Sequence, residues 1–159
     1  MEKLVKEQTL NSTFLPTIGA NQTLLTEKKS ANGPATFRTD RPILIVSSTS
    51  WTADEDFQLL LNAAQQYDEV SKLENKSGKS AAGKGKADLY PKLLFVITGK
   101  GPLKQYYEEI MSKMALENVA FVTTWLSPED YPRLLGMFST ILFSMTTVKS
   151  TNLPTLSSL

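Results

Sequence analysis

Four short apolar runs recur along the chain, separated by amphipathic stretches. They are Ile43-Leu44-Ile45-Val46, Leu93-Leu94-Phe95-Val96-Ile97, the segment from Asn118 to Val122, and Ile141-Leu142-Phe143. Continuous runs of this length suit strands buried on both faces of a parallel sheet. After the first run, Phe57, Leu60, Leu61 and Ala64 stand at helical spacing and predict a helix to about Leu73. Thr52 precedes Glu55 by the interval of a capping box, and Asp54, Glu55 and Asp56 put negative charge where a first helical turn favours it. After the second run, Pro102 suits a first helical position, and Leu103, Tyr106, Tyr107, Ile110, Met111 and Met114 form one stripe, read as core packing. After the third, Ser127-Pro128-Glu129-Asp130 is a helix start, with Tyr131, Leu134 and Leu135 facing inward. This alternation is the rhythm of an α/β fold, a doubly wound parallel sheet. Segments 42–47, 93–98, 119–122 and 141–145 are expected to be parallel neighbours in it.

The flanks break the pattern. Residues 1–40 are rich in Asn, Thr, Ser, Lys and Gly without a sustained apolar period, and are expected to form a weakly ordered leader, with order starting near Arg41. Residues 41–145 then form one domain, interrupted by a flexible Lys/Gly/Ser loop at 74–88, and residues 146–159 form a tail. Within the loop, Gly78-Lys79-Ser80 has the ending of a phosphate-binding P-loop, but the glycine that motif needs earlier is Leu73. Sequons at Asn11, Asn21 and Asn75 matter only in a secreted chain.

Composition narrows the chemistry. A chain of 159 residues with 41% hydrophobic positions suits one core. With no cysteine and no histidine, disulfides, Cys/His zinc sites, thiol nucleophiles and histidine shuttles are excluded. A net charge of +1 gives no global field toward nucleic acid, which is not an expected partner. No metal and no cofactor is implied, and no catalytic residue stands out. No apolar run approaches the roughly 20 residues that span a bilayer, and Met1–Leu10 lacks the apolar centre of a secretory signal, so the chain alone reads as cytosolic.

Ligands of such sheets bind beyond the carboxyl ends of the strands. There, Thr98-Gly99-Lys100-Gly101 leads into a helix, and small residues, helix-terminal N–H groups and an ammonium suit a diphosphate as well as they suit a tight turn. The third glycine of the dinucleotide fingerprint is replaced by Lys104, which disfavours NAD or FAD. Ser47, Ser48, Thr49 and Ser50 supply hydroxyls able to bind phosphate or ribose oxygens, or to cap and solvate a loop. Asp54, Glu55 and Asp56 are sufficiently explained by a helix start. Trp125 stacks on a base or sugar, or closes the core.

Arg41-Pro42, Val46-Ser47-Ser48-Thr49-Ser50-Trp51-Thr52 and Asp54-Glu55-Asp56-Phe57 resemble the opening of the C-terminal domain of the chitobiosyldiphosphodolichol beta-mannosyltransferases. Two further blocks follow in order. They are Val96-Ile97-Thr98-Gly99-Lys100-Gly101-Pro102-Leu103 with Tyr106 and Tyr107, then Trp125-Leu126, Glu129-Asp130-Tyr131-Pro132 and Leu134-Leu135-Gly136. The resemblance implies part of the C-terminal Rossmann-like domain of a two-domain GT-B glycosyltransferase at the cytosolic face of the endoplasmic reticulum. GDP-mannose would be held by this domain, and a dolichol-diphosphate chitobiose acceptor by an N-terminal domain this chain does not include. By the same resemblance, Ser47, Ser48, Thr49, Ser50, Trp51, Gly99, Lys100 and Gly101 border the donor diphosphate, and Trp125, Leu126 and Asp130 lie near the guanosine. From Ser144 onward only Leu153-Pro154 keeps the family's pattern. The alternative function is a non-catalytic nucleotide-binding or interaction module derived from that enzyme.

Overall fold

A computed structural model describes residues 14, 18–30, 32–77, 90–130, 132 and 141–144. Its centre is a four-stranded sheet of β3 (Ile43–Ser48), β4 (Leu93–Thr98), β5 (Val119–Thr124) and β6 (Ile141–Ser144), in the spatial order β5-β4-β3-β6. All three pairings are parallel, with Ser48 in register with both Thr98 and Ser144. The four expected strands are therefore parallel neighbours, as their apolar runs imply. Within this sheet the chain order is third, second, first, fourth, the first four positions of the Rossmann order. The strand order reverses between β3 and β6, which places the topological switch point at Ser48 and Ser144.

Side chains alternate across the sheet, and both faces are covered, which is why the runs are continuously apolar. On one face Leu44, Val46, Leu94, Val96, Ala120 and Val122 form a buried cluster. On the other, Phe95, Ile97 and Val119 pack with Trp51, Phe57, Leu61 and Ala64. Two helices lie along this second face: α1 (Phe57–Ser77) and α2 (Lys104–Lys113).

Order starts earlier than Arg41. β1 (Thr26–Lys28) and β2 (Ala35–Phe37) form an antiparallel hairpin, and Phe14, Leu24 and Leu25 complete the first cluster. Composition concealed this because local hydroxyl chemistry shapes the segment. The Thr23 hydroxyl accepts from the N–H groups of Leu25 and Thr26 at 3.2 and 2.9 Å, turning the chain into β1. The hairpin is tied down by buried Arg38, whose guanidinium donates twice to Asp40, at 2.9 and 2.7 Å, and once to the Thr23 carbonyl at 3.3 Å. Phe14 is fully buried and its carbonyl accepts from Lys92 Nζ at 2.8 Å. Phe14→Ala is expected to destabilise the fold by about 3 kcal/mol. A change below 1 kcal/mol in urea denaturation would return this segment to the status of a leader.

The helices begin and end differently from their sequence signatures. α1 starts at Phe57 with no acid in its first turn, so the capping box does not form and Glu55 turns back toward β3. It also runs beyond Leu73 to Ser77. Asn75 exchanges two hydrogen bonds with the Tyr90 backbone at 3.2 and 3.3 Å, so residues 74–77 are helix and not loop. α2 starts at Lys104, two residues after Pro102, and of its predicted stripe only Tyr106 is exposed. At the third helix start, the Asp130 N–H donates to Ser127 Oγ at 3.2 Å, as expected of a cap. Tyr131, Leu134, Leu135, Lys79, the P-loop-like triplet and the tail lie outside the described residues.

Candidate functional site at the carboxyl ends of the strands

Three strand ends converge through their loops. The Thr49 N–H donates to the Thr98 carbonyl at 2.9 Å, the Leu103 N–H to the Trp51 carbonyl at 3.0 Å, and the Gly99 N–H to the Thr124 carbonyl at 3.4 Å. The loop after β3 therefore rests on the turn after β4, which in turn rests on the end of β5. The contact is backbone on backbone. A Cβ on Gly99 would overlap the Thr49 carbonyl, and one on Gly101 would overlap the Ser50 carbonyl, while Gly99 has φ +140°. Both glycines are thus required for the loops to meet, whatever approaches from outside.

The predicted site residues divide into two groups. Ser47 and Trp51 are buried, with only 1% of Trp51 exposed, and neither Ser47 Oγ nor Trp51 Nε1 has a hydrogen-bond partner. Trp51 packs against Phe57 and Tyr107 at ring separations of 4.7 and 6.1 Å. It holds φ +51°, a conformation that costs a bulky residue about 1–3 kcal/mol. Leu126 packs on the opposite core cluster, and Asp130 is exposed, accepting the Ser127 hydroxyl at 3.1 Å.

The second group faces outward. Ser48, Ser50 and Lys100 are exposed, and Trp125, 60% exposed, does not close the core. Lys100 Nζ lies 4.2 Å from the centre of the Trp125 ring, so the cation and the indole from two different strand ends form one surface. An ammonium beside an exposed aromatic face is able to pair with a phosphate and to stack against a planar or sugar ring.

Sequence reasoning missed Glu55. Its carboxylate accepts from the Ser50 N–H and hydroxyl at 3.1 and 2.8 Å, from the Trp51 N–H at 3.1 Å and from the Thr49 hydroxyl. The capping-box spacing drew it into a helix start; the signal against that was the run of hydroxyls and free loop N–H groups just before it. Burial would push this carboxyl up, but the donors from Thr49, Ser50 and Trp51 together hold it below its ordinary value of 4.5. A group easier to protonate in the unfolded chain stabilises the fold above its unfolded value and loses that contribution as pH falls through the folded one. Stability is therefore expected to decline below about pH 4.5, and Glu55→Gln should flatten that acid limb. Identical acid limbs in wild type and variant, followed by circular dichroism, would remove Glu55 as a contributor.

Among the described residues no group of acids is placed to hold a metal ion, and no helix is long and apolar enough to cross a membrane.

The sequence is similar to segments of several known proteins. The chain is 48% identical over 116 residues to the UDP-glycosyltransferase TURAN of Arabidopsis thaliana, covering 73% of this chain and 24% of that protein. It is 42% identical over 110 residues to the chitobiosyldiphosphodolichol beta-mannosyltransferase of Dictyostelium discoideum, and 40% identical over 111 residues to the protein of that name in Homo sapiens. Those matches cover 69% and 70% of this chain but 22% and 21% of the relatives, so the chain spans less than a quarter of the length of the proteins it matches. No family model and no solved structure matches. A Rossmann-like parallel sheet with this sequence likeness places the chain among glycosyltransferase segments. More narrowly, it is homologous to a segment of the chitobiosyldiphosphodolichol beta-mannosyltransferases.

Proposed function

We propose that the chain forms the donor-nucleotide surface of a GT-B beta-mannosyltransferase that moves mannose from GDP-mannose to dolichol-diphosphate chitobiose at the cytosolic face of the endoplasmic reticulum. The observation that carries this is the Lys100–Trp125 pair at the strand ends of a sheet homologous to those enzymes. The relatives' names state a mannosyl transfer and a dolichol-linked acceptor, and one relative is named for UDP, so the decisive comparison is between GDP and UDP. In this reading Lys100 pairs with the donor diphosphate and Trp125 lies against its nucleoside. Ser48 and Ser50 offer hydroxyls from the β3 side, Gly99 and Gly101 keep the two loops in contact, and Leu126 and Asp130 sit at the rim. Ser47 and Trp51 act from beneath as core. The acceptor would be held by a domain outside this chain, and mannosyl transfer requires both reactants within near-attack distance.

Calorimetric titration with GDP and UDP tests the proposal. GDP is expected to bind and UDP to bind more weakly. Lys100→Ala should weaken GDP binding about tenfold to a hundredfold, the worth of a charge-assisted contact, while Lys79→Ala in the Gly/Lys/Ser stretch should leave it unchanged. Equal losses at the two lysines would mean that net charge, and not the strand-end geometry, attracts the nucleotide.

A further inference from the structure

The end of β3 is gripped by one side chain. Four donors on three consecutive residues, Thr49, Ser50 and Trp51, converge on the carboxylate of Glu55. This is more than a helix start requires, and α1 begins only at Phe57, beyond it. The grip also explains how Trp51 is held at φ +51°, since its N–H is fixed by both Glu55 and the Thr49 hydroxyl, the latter at 3.0 Å.

The constraint passes onward by direct contact. The Thr49 and Ser50 carbonyls fill the space beside Gly99 and Gly101, and the Trp51 carbonyl accepts from the Leu103 N–H at 3.0 Å. Lys100 lies between the two glycines. Its backbone is therefore held on both sides by the loop that Glu55 holds, and its ammonium sits 4.2 Å from the Trp125 ring centre.

We propose that Glu55 is a positioning residue for Lys100: by fixing residues 49–51 it sets the turn that presents the ammonium against Trp125 to a phosphate-bearing ligand. The proposal rests on the nucleotide-binding reading above and makes a prediction of unexpected sign. A carboxylate near an anion site repels the ligand, so a role through charge alone means that neutralising Glu55 strengthens nucleotide binding. A positioning role means that neutralising it weakens binding.

Two measurements on the full chain decide between these. In calorimetry with GDP, Glu55→Gln is expected to weaken binding about fivefold or more, and to add nothing when Lys100 is already alanine, because the two residues act through one path. In ligand-free NMR, the Lys100 ε-methylene should be shifted upfield by the Trp125 ring, and this shift should vanish in both Trp125→Ala and Glu55→Gln while core methyl signals such as those of Val46 and Leu94 stay in place. Unchanged or tighter GDP binding in Glu55→Gln, fully additive losses in the double variant, or a retained Lys100 shift would overturn the proposal. If Lys100→Ala itself leaves GDP binding unchanged, the nucleotide reading fails, and the ligand-free shift still decides the role of Glu55. Should Glu55→Gln unfold the chain, Glu55→Asp, which keeps the charge but withdraws it by one methylene, carries the same two expectations.

Discussion

Gly99→Ala and Gly101→Ala should each destabilise the fold by about 4 kcal/mol or more, among the largest effects a single methyl group produces. At both positions the added carbon would overlap a backbone carbonyl, of Thr49 in one case and Ser50 in the other, and not the end of a side chain that could swing away. Those carbonyls are not free to retreat. The Thr49 N–H is bonded to the Thr98 carbonyl at 2.9 Å, and the Ser50 N–H to Glu55 at 3.1 Å. Gly99 carries the further strain of φ +140°, which side chains rarely adopt. Gly33→Ala is the control, because its new carbon would first meet the Ser30 hydroxyl, 2.8 Å away on a side chain that can rotate. Urea denaturation of the three variants measures this, and losses below about 1 kcal/mol at Gly99 and Gly101 would show that the two loops separate easily. A consequence follows for function. Lost nucleotide binding in a Gly99 variant would report a disrupted corner, so Lys100→Ala is the cleaner probe of ligand contact.

The sheet was legible in the sequence because burial on both faces leaves continuous apolar runs, and the four runs map onto β3 to β6 within a residue or two at each end. What escaped sequence reading was carried by polar atoms. The hairpin before Arg41 depends on Thr23 and on the Arg38–Asp40 pair, which composition counts as ordinary polar residues. The last turn of α1 was read as loop because the composition turns polar from Glu74 onward, whereas Asn75 ties that turn to the Tyr90 backbone. At the candidate site, spacing located the turns that the fold brings together but not the direction of the side chains. The two tryptophans take opposite roles, Trp51 sealed between Phe57 and Tyr107 and Trp125 exposed beneath Lys100, and nothing local in the sequence separates them. Glu55 shows the same limit, since one spacing is compatible with a capping box and with a carboxylate turned back onto the preceding loop.

Asp68→Ala is expected to destabilise the fold by about 2–4 kcal/mol, chiefly because it leaves two backbone donors without an acceptor, with a smaller share from its pair with the partly exposed Lys72. Asp68 is 1% exposed in the middle of α1. Its Oδ1 accepts from the N–H groups of Glu117 and Asn118 at 3.0 and 2.6 Å, and its Oδ2 pairs with Lys72 at 2.8 Å. The Ser71 hydroxyl extends the junction, accepting from Asn118 Nδ2 at 2.9 Å. These contacts fix α1 to the turn that feeds β5, and hence set how β5 carries Trp125 to the strand ends. Truncation leaves two backbone donors without their acceptor and Lys72 without its best partner, whose hydrogen bond is the main reason the lysine is held above its ordinary value. Asp68→Asn should cost less, because the amide oxygen still accepts from both N–H groups and only the attraction to Lys72 is lost; Lys72 is partly exposed and also pairs with Glu117 at 3.4 Å. The order Ala worse than Asn, measured by denaturation with unchanged m-values, identifies the backbone bonds as the larger part. Equal losses in the two variants would assign the effect to the charge pair, and a loss under 1 kcal/mol in both would mean that the turn before β5 holds its shape without α1.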